Sequence, residues 1–359
     1  MKIYKCDVCG ELIYFENSIC LNCSSELGYI PGIDRMSSLE LQNNHTYKAL
    51  TPSAGGSLYK KCSNYSIENI CNWMLPADEN EDQCISCRLN LHLPDLSVFE
   101  NRIYWHRLEI AKRRLIYSLL RLGLPIRSKQ IDPEAGLGFA FLRDDLRVNK
   151  KETQKILTGH SHGLITINLA EANDEIREKT RLNMNERYRT LLGHFRHEIG
   201  HYYWSLLIEN NQDLLFEFRN IFGDENLNYN KSLKQYYKEG PAANWQYSYV
   251  SAYATSHPWE DWAESWAHFL HMHESLETAK SWGMSVSLRG EQETNVVDLN
   301  IKASSFDEMR HQWVYLSIAL NSLNRSMGLP DVYPFVLSEP VFEKMKFVHN
   351  VISSCCNSR

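Results

Sequence analysis

The placement of cysteine is the feature that most constrains how this chain can fold. Eight of its ten cysteines lie within the first 87 residues, two stand at the end, and residues 88–354 have none. The first four form two CxxC pairs, namely Cys6, Cys9, Cys20 and Cys23. Two residues between a pair of thiolates let both sulfurs reach one tetrahedral ion. Clustered pairs in a chain without signs of export indicate zinc rather than disulfides, so we predict a closed, structural four-cysteine zinc site.

A second group of four cysteines follows at a less regular spacing. Its members are Cys62, Cys71, Cys84 and Cys87. Only the last two form a compact pair, so the spacing leaves two interpretations open. We favour a second four-cysteine zinc site. The alternative is that Cys62 and Cys71 are buried free thiols, while the compact pair is unmetallated or redox-active.

Composition and charge argue against several classes of protein. Aromatic residues make up 11% of the 359 residues, more than in a disordered chain, and the net charge of −6 creates no field that would recruit nucleic acid or an anionic membrane. No stretch is apolar for long enough to cross a bilayer, and the N-terminal sequence MKIYKCDVCG lacks the apolar core of a secretory signal. We therefore expect a cytoplasmic protein without a membrane or nucleic-acid partner.

Charge is distributed unevenly along the chain. Residues 1–92 carry seven basic and eleven acidic groups, whereas residues 101–130 carry eight basic groups and one acidic group. We favour the interpretation that the basic segment is the solvated face of a helix. The alternatives are that the acidic N-terminal module docks on this segment, or that the segment binds an anionic partner.

Apolar periodicity predicts an α+β fold in three parts. Residues 1–92 form a zinc-ribbon module, residues 93–352 a mostly helical domain with a small sheet, and residues 353–359 a polar tail. Apolar residues at helical spacing predict helices over 98–122, 184–208, 213–221, 259–280, 306–323 and 341–352. Strands are predicted over 136–142 and 163–169, and a loop with short helical pieces over 223–253.

The strongest signal for chemistry is the sequence HEIGH at residues 197–201, within a predicted helix. Histidines four residues apart lie on one face of a helix, so both imidazoles can reach one zinc ion. Glu198 lies beside the first histidine and can reach a water on that ion as general base. Farther along, Glu260 and Glu264 are also four residues apart on a predicted helix. One carboxylate can complete the ligand set, and the other can accept the N–H of a ligand histidine.

HEIGH at 197–201 together with EDWAE at 260–264 resembles the pattern of the gluzincin metallopeptidases. It is most similar to the branch that contains anthrax lethal factor, in which a tyrosine stands seven residues before the first glutamate of the second motif. Here that position is Tyr253. Most of residues 1–330 is also similar to a bacterial family of zinc-ribbon metallopeptidases. The stretches that carry this similarity are CRLNLHLPDLS, EIAKRRLIYSLLRLGLP, HGLITINLAEAN, YRTLLGHFRHEIGHYYW and HPWEDWAESWAHFLHM.

The resemblance implies a zincin-like catalytic domain over residues 93–352. His197, His201 and Glu260 would bind the catalytic zinc. Glu198 would activate the zinc-bound water, and Glu264 would hold a ligand histidine through a hydrogen bond. Each of these roles is carried over from the matching position of the two motifs.

The resemblance also implies groups that contact the substrate. Tyr253 would donate to the oxyanion that forms when a peptide carbonyl is attacked, and His257 is an alternative donor. In zincins an edge strand above the active-site helix pairs with the extended substrate. Here the candidate residues for that strand are Gly163, Leu164, Ile165 and Thr166.

Together these features predict a zinc-dependent metallopeptidase with one catalytic and two structural zinc ions. The expected partner is a peptide or protein substrate, and the ribbon is a candidate contact for a protein partner. Three alternatives stay open: a non-catalytic scaffold braced by zinc, a nucleic-acid-associated protein using the ribbon and the basic segment, and an amidase or isopeptidase with the same catalytic residues. The acidic charge of the ribbon disfavours the second alternative.

Overall fold

Two architectures follow one another along the chain. The computed structural model describes residues 2–144, 156–184, 186–289, 294–299 and 305–357. Short antiparallel strands occupy the N-terminal part, whereas long helices with a small mixed sheet and a hairpin make up most of the rest. The predicted α+β fold class is therefore confirmed.

The N-terminal module consists of a two-stranded and a five-stranded antiparallel sheet. The strands β1 (Tyr4–Lys5) and β2 (Leu12–Ile13) pair and carry the first CxxC turn between them. The larger sheet follows chain order, since most of its connections are too short for a parallel crossover. Its strands are β3 (Leu27–Ile30), β4 (Arg35–Leu41), β5 (Tyr47–Ala49), β6 (Leu58–Lys61) and β7 (Met74–Pro76), with the one-turn helix α1 (Ser63–Ser66) before β7.

The acidic module is docked on the basic segment, which forms the helix α2 (Phe99–Arg121). Three ion pairs join them: Arg102–Glu68 at 2.5 Å, Arg114–Glu16 at 2.5 Å and Arg121–Asp34 at 2.8 Å. Lys112 and Arg113 of the same helix are buried, and Lys112 pairs with Glu109 at 2.9 Å. The docking alternative therefore describes the ribbon side of α2. The favoured interpretation of a solvated basic face holds only for the exposed arginines Arg102, Arg107 and Arg121.

Aromatic packing stabilises this interface more than the ion pairs do. The ring of Tyr117 on α2 lies 5.1 Å from the ring of Phe15 and 6.0 Å from the ring of Tyr29, measured between centroids. All three side chains are buried. Exposed ion pairs contribute about 0–1 kcal/mol each, whereas one buried aromatic side chain contributes about 1.5–3 kcal/mol. The ribbon and the helical part therefore share one hydrophobic core.

A four-stranded mixed sheet joins the two parts. Its strands are β8 (Asn90–His92), β9 (Gly138–Leu142), β10 (Gly159–Ser161) and β11 (Leu164–Asn168), in the order β10-β11-β9-β8. The pairs β11–β9 and β9–β8 are parallel, and β10–β11 is an antiparallel hairpin. Because β8 pairs with β9, residues 90–92 at the end of the predicted ribbon module take part in this sheet.

The segment predicted as an edge strand lies inside this sheet. Residues 164–168 are paired with β9 on one side, and residues 164–166 are also paired with β10 on the other, so β11 is flanked by a strand on each side. Gly163 is part of the hairpin turn, where it has a φ of +80° and follows His162 at +46°. The prediction that Gly163, Leu164, Ile165 and Thr166 offer a free edge is therefore wrong. Among the described strands of this sheet, β10 is the edge on that side.

The remaining chain is mostly helical. Its elements are α3 (Asp174–Asn183), α4 (Leu191–Leu207), α5 (Gln212–Phe222), α6 (Tyr229–Glu239), α7 (Pro258–Ser281), β12 (Ser285–Arg289), β13 (Thr294–Asp298), α8 (Phe306–Ser326) and α9 (Glu339–Asn357). Strands β12 and β13 form a hairpin. Among the described residues, no helix is sufficiently long and apolar to traverse a lipid bilayer.

Three boundaries differ from the sequence-based predictions. The helix predicted over 184–208 starts only at Leu191, because the side chain of Thr190 caps it by accepting the N–H of Gly193 at 3.0 Å. The stretch predicted as a loop contains the full helix α6. The tail predicted from residue 353 is helical as far as Asn357, because α9 continues through it.

Candidate metal centre

Helices α4 and α7 cross at a glycine. The indole Nε1 of Trp262 on α7 donates to the carbonyl of Gly200 on α4 at 2.8 Å. A Cβ atom at position 200 would lie 3.1 Å from Cα of Ala263 and 3.2 Å from Cβ of Trp266. Glycine at this position therefore lets the two helices approach closely enough to bring their polar side chains together.

Replacing Gly200 by alanine is expected to lower the free energy of unfolding by up to about 2 kcal/mol and to weaken zinc binding. Overpacking costs about 1–3 kcal/mol, of which the roughly 1 kcal/mol that alanine adds in helix propensity offsets a part. Denaturant unfolding and competition with a chelator measure both effects. Gly32→Ala is the control, since nothing lies within 4 Å of that Cβ position. Wild-type stability and zinc affinity in the Gly200 variant would contradict the close approach.

Three side chains from the two helices converge on one point. Nε2 of His197 lies 3.0 Å from Oε2 of Glu260, Nε2 of His201 lies 3.6 Å from the same oxygen, and the two nitrogens are 3.3 Å apart. A tetrahedral zinc site with bonds of about 2.0–2.1 Å has ligand–ligand separations of roughly 3.3 Å. The three predicted ligand atoms therefore have the separations that a single zinc ion requires.

Glu260 is oriented toward this point by a tyrosine. The hydroxyl of Tyr229 on α6 donates to Oε1 of Glu260 at 2.6 Å. The other oxygen, Oε2, is buried, makes no hydrogen bond and faces the two imidazole nitrogens. A buried carboxylate oxygen without a hydrogen bond is costly unless a cation satisfies it. The unbonded Oε2 of Glu260 therefore indicates that the three side chains suit a metal ion.

Tyr229 was not among the predicted site residues. It lies in the polar, Tyr- and Asn-rich stretch that sequence reasoning assigned to a loop. Two local signals for the helix were present: the side chain of Asn228 accepts the N–H of Lys231 at 2.9 Å as an N-cap, and Gly240 ends the helix with a φ of +81°. Even so, only the folded structure brings the tyrosine to Glu260.

Glu264 holds the first histidine in one tautomer. Its Oε1 lies 2.7 Å from Nδ1 of His197, which leaves Nε2 of that ring for a metal. Burial is the largest single influence on Glu264 and raises its pKa, but hydrogen bonds from His197 and Ser251 and the nearby charges of His197 and His268 together outweigh burial and lower the pKa to about 2. The carboxylate is therefore ionised over the whole useful pH range and accepts the Nδ1–H throughout.

Glu198 is buried beside the three ligand atoms and is not one of them. Burial raises the pKa of its carboxyl above the usual range, although the two neighbouring histidines oppose this effect. A raised pKa makes a carboxylate a stronger base, which suits a group that accepts a proton from water.

The two candidate oxyanion donors have different surroundings. The ring of Tyr253 lies 5.9 Å from the ring of His197, and burial raises the pKa of its hydroxyl, which therefore stays protonated. His257 has both ring nitrogens occupied: Nδ1 accepts the N–H of Trp259 at 3.1 Å as the N-cap of α7, and Nε2 lies 3.0 Å from the carbonyl of Leu227. The alternative role of His257 as an oxyanion donor is therefore corrected to that of a helix cap.

Strand β10 lies beside the second histidine of the metal centre, His201. The ring of His160 in β10 is nearly parallel to the ring of His201, with 6.4 Å between centroids. His160 Nε2 accepts the N–H of Gly163 at 2.9 Å, so this nitrogen is engaged in the hairpin turn. The edge strand of the sheet thus runs beside the second histidine, in the position that sequence reasoning had given to β11.

The cysteines form two separate groups. Each group has one Sγ atom per residue within 4.8 Å of the others, and the groups are Cys6, Cys9, Cys20, Cys23 and Cys62, Cys71, Cys84, Cys87. The sulfur–sulfur separations of 3.6 Å for Cys6–Cys23 and 3.8 Å for Cys71–Cys84 are close to the roughly 3.8 Å edge of a tetrahedron with Zn–S bonds of about 2.3 Å. Both groups therefore fit a zinc ion.

The N-terminal strand of the ribbon is remote from the metal centre. The N–H of Ile3 donates to Oγ of Ser281 at the C-terminal end of α7 at 3.1 Å. Glu260 lies 21 residues earlier in the same helix, which at 1.5 Å per residue is about 31 Å. The segment just before β1 therefore contacts α7 at the end of this helix that lies away from Glu260.

Comparison with known proteins divides the chain into an N-terminal zinc ribbon and a longer second part. Residues 101–351 match the family described as putative zinc-binding metallo-peptidase, and residues 3–98 match a zinc-ribbon domain. The chain is 40% identical over 352 residues to proteins of Mycobacterium bovis and Mycobacterium tuberculosis, both described as uncharacterized, and the match covers 98% of this chain and 95% of each relative. No solved structure matches the chain. The chain therefore belongs to the family of putative zinc-binding metallo-peptidases and carries a zinc-ribbon domain at its N-terminal end.

Proposed function

We propose that the protein is a gluzincin-type zinc peptidase that hydrolyses peptide bonds in a peptide or protein substrate. The observation that carries the proposal is the set of three ligand atoms at tetrahedral separations beside a buried carboxylate that is not a ligand. His197, His201 and Glu260 are the proposed ligands of the catalytic zinc. The resemblance to the lethal-factor branch rests on Tyr253 and its spacing to Glu260.

In the proposed mechanism, zinc activates the water and the carbonyl, while Glu198 and Tyr253 transfer a proton and donate a hydrogen bond. Zinc held at this site would lower the pKa of a bound water and polarise the substrate carbonyl. Glu198 accepts the proton of the attacking water and passes it to the leaving nitrogen, so that the C–N bond breaks as the amine is protonated. Tyr253, which stays protonated, donates to the developing oxyanion.

The edge strand β10 is the proposed guide for the substrate backbone. Among the described residues of its sheet, β10 is paired on one side only, and His160 sets it beside His201. An extended peptide can add to such an edge through main-chain hydrogen bonds. This role replaces the one predicted for residues 163–166.

Two structural zinc ions in the ribbon complete the proposed metal content. A four-cysteine site is closed and does not leave a position for substrate, whereas the site on α4 and α7 has three protein ligands. A scaffold protein would need no buried carboxylate at Glu198, and this disfavours the non-catalytic alternative. We infer that the protein binds three zinc ions per chain.

Replacing Glu260 by alanine is expected to reduce the zinc content from three ions per chain to about two and to abolish peptide hydrolysis. The two imidazoles that remain cannot retain zinc against dilution. Zinc is measured by atomic emission on protein purified without added metal, and hydrolysis is measured with a mixed peptide library. The control is Glu217→Ala, which removes an exposed glutamate of α5. Unchanged zinc content in the Glu260 variant would exclude this residue as a ligand.

A further inference from the structure

The two carboxylate oxygens of Glu260 have different surroundings. Oε1 accepts the hydroxyl hydrogen of Tyr229 at 2.6 Å, which is the distance of a strong hydrogen bond to a charged acceptor. Oε2 makes no hydrogen bond and lies 3.0 Å from Nε2 of His197. Because the whole side chain is buried, bulk water satisfies neither oxygen. The carboxylate therefore has one oxygen held by the protein and one oxygen free for a metal ion.

Tyr229 is itself fixed in place by its neighbours. It is the first residue of α6 and follows Asn228, whose side chain caps the helix by accepting the N–H of Lys231 at 2.9 Å. The ring of Tyr229 packs edge-on against the ring of His257 at a centroid distance of 5.2 Å. His257 caps α7 and also contacts the carbonyl of Leu227 at 3.0 Å. The start of α6 is thus joined to the first turn of α7, which carries the proposed ligand.

Helix α6 contacts the metal centre through two tyrosines of one face. Tyr229 and Tyr236 are seven residues apart, which is about two helical turns. Tyr229 donates to Glu260, and the ring of Tyr236 packs against the ring of Tyr253 at a centroid distance of 5.8 Å. No residue of α6 is buried, so little other packing fixes this helix. The position of α6 therefore bears on both the proposed ligand and the proposed oxyanion donor.

We propose that Tyr229 is a positioning residue of the metal centre, which confines Glu260 to one metal-binding oxygen and thereby couples helix α6 to zinc binding. The inference rests on the zinc site of the proposed peptidase, which it deepens. A glutamate that binds through one oxygen leaves the fourth position of a tetrahedral zinc ion open for water. The coupling is reciprocal, because a hydrogen bond that strengthens zinc binding is itself strengthened by zinc to the same degree. Zinc should therefore hold α6 in place.

Replacing Tyr229 by phenylalanine keeps the ring and removes the hydroxyl. In the full-length protein, Tyr229→Phe is expected to weaken the binding of the zinc ion at Glu260 by about 10- to 100-fold, the usual effect of removing the partner of a metal ligand. Competition with a chelator measures this affinity, and the two ribbon ions should be unaffected. The matched control is Tyr247→Phe, since Tyr247 is 73% exposed in the loop after α6. Wild-type zinc affinity in Tyr229→Phe would overturn the proposal.

Two further measurements distinguish positioning from general support of the fold. For the first, the three-ligand site is emptied with a chelator and refilled with Co²⁺, while the four-cysteine sites retain zinc. Without the hydroxyl, both oxygens of Glu260 can bind the metal, so the visible Co²⁺ absorption should weaken as a four-coordinate ion becomes five-coordinate. For the second, hydrogen exchange of the α6 amides should be slowed by zinc in the wild type and not in Tyr229→Phe. An unchanged cobalt spectrum, or zinc-dependent protection of α6 that survives in the variant, would refute the role of Tyr229.

The outcomes for this inference and for the proposed function are distinguishable. If the wild type binds the third zinc ion and cleaves no peptide, the peptidase function fails, and the zinc affinity of Tyr229→Phe still decides the role of Tyr229. If the wild type cleaves peptides and Tyr229→Phe binds zinc normally, the positioning role fails and the peptidase function stands. If the wild type binds only the two ribbon ions, both proposals fail.

Discussion

Replacing Glu198 by glutamine is expected to leave the zinc content unchanged and to reduce kcat for peptide hydrolysis by about 10²- to 10⁴-fold, the range of a lost general base. Glutamine has nearly the same shape and fills the same buried space. It cannot accept a proton from water at neutral pH. Because Glu198 is not one of the three ligand atoms, the metal should stay bound.

A surface variant serves as the control for the Glu198→Gln result. Glu217→Gln changes the same functional group at an exposed position of α5 and should have wild-type kcat and zinc content. Zinc analysis and steady-state kinetics on the same preparations are the measurements. A Glu198 variant with full activity would eliminate the proposed mechanism, and one that loses zinc would mean that the carboxylate supports the metal rather than the proton transfer.

Replacing Cys84 by serine is expected to remove one zinc ion and to unfold the ribbon. Cys84 is buried in the second four-cysteine group. Zinc in small structural sites contributes about 10–16 kcal/mol to folding, which is as large as the whole stability of a typical domain, about 5–15 kcal/mol. Because Phe15 and Tyr29 of the ribbon pack on Tyr117 of α2, the thermal transition of the helical part should also shift to a lower temperature.

Cys355→Ser is the matched control, because Cys355 lies near the end of α9 outside both cysteine groups. It should retain three zinc ions and the wild-type transition temperature. Zinc analysis, differential scanning calorimetry and limited proteolysis record the outcome. A Cys84 variant with unchanged zinc content and stability would revive the interpretation that this cysteine belongs to an unmetallated or redox-active pair.

Much of the metal centre was predictable because its parts are local in sequence. The two histidines of α4 are one helical turn apart, and so are Glu260 and Glu264 of α7, so each pair must share a helix face. The CxxC pairs are local in the same way, since two intervening residues suffice to direct both sulfurs to one ion. In each case the spacing sets the geometry within one element.

The residues that were missed or misassigned depend on contacts between distant parts of the chain. Tyr229 lies in a stretch with little apolar periodicity, and its contact with Glu260 exists only after α6 packs beside α7. His257 was a plausible donor until the fold engaged both of its nitrogens as a cap and a loop contact. Nothing in the spacing of either residue indicates these partners.

By itself, the amino-acid sequence determined the α+β class, the zinc-ribbon module, and the helix faces that carry the proposed ligands. These features follow from short spacings along the chain. Two residues separate the members of a CxxC pair, and three to four residues separate side chains on one face of a helix, so the local backbone geometry alone determines which side chains lie together. Only the tertiary structure decided that β10 rather than β11 is the edge strand, that the ribbon docks on the basic helix α2, and that Tyr229 contacts Glu260. Each of these depends on which elements pack together, and packing brings together residues whose separation along the chain says nothing about their distance in space.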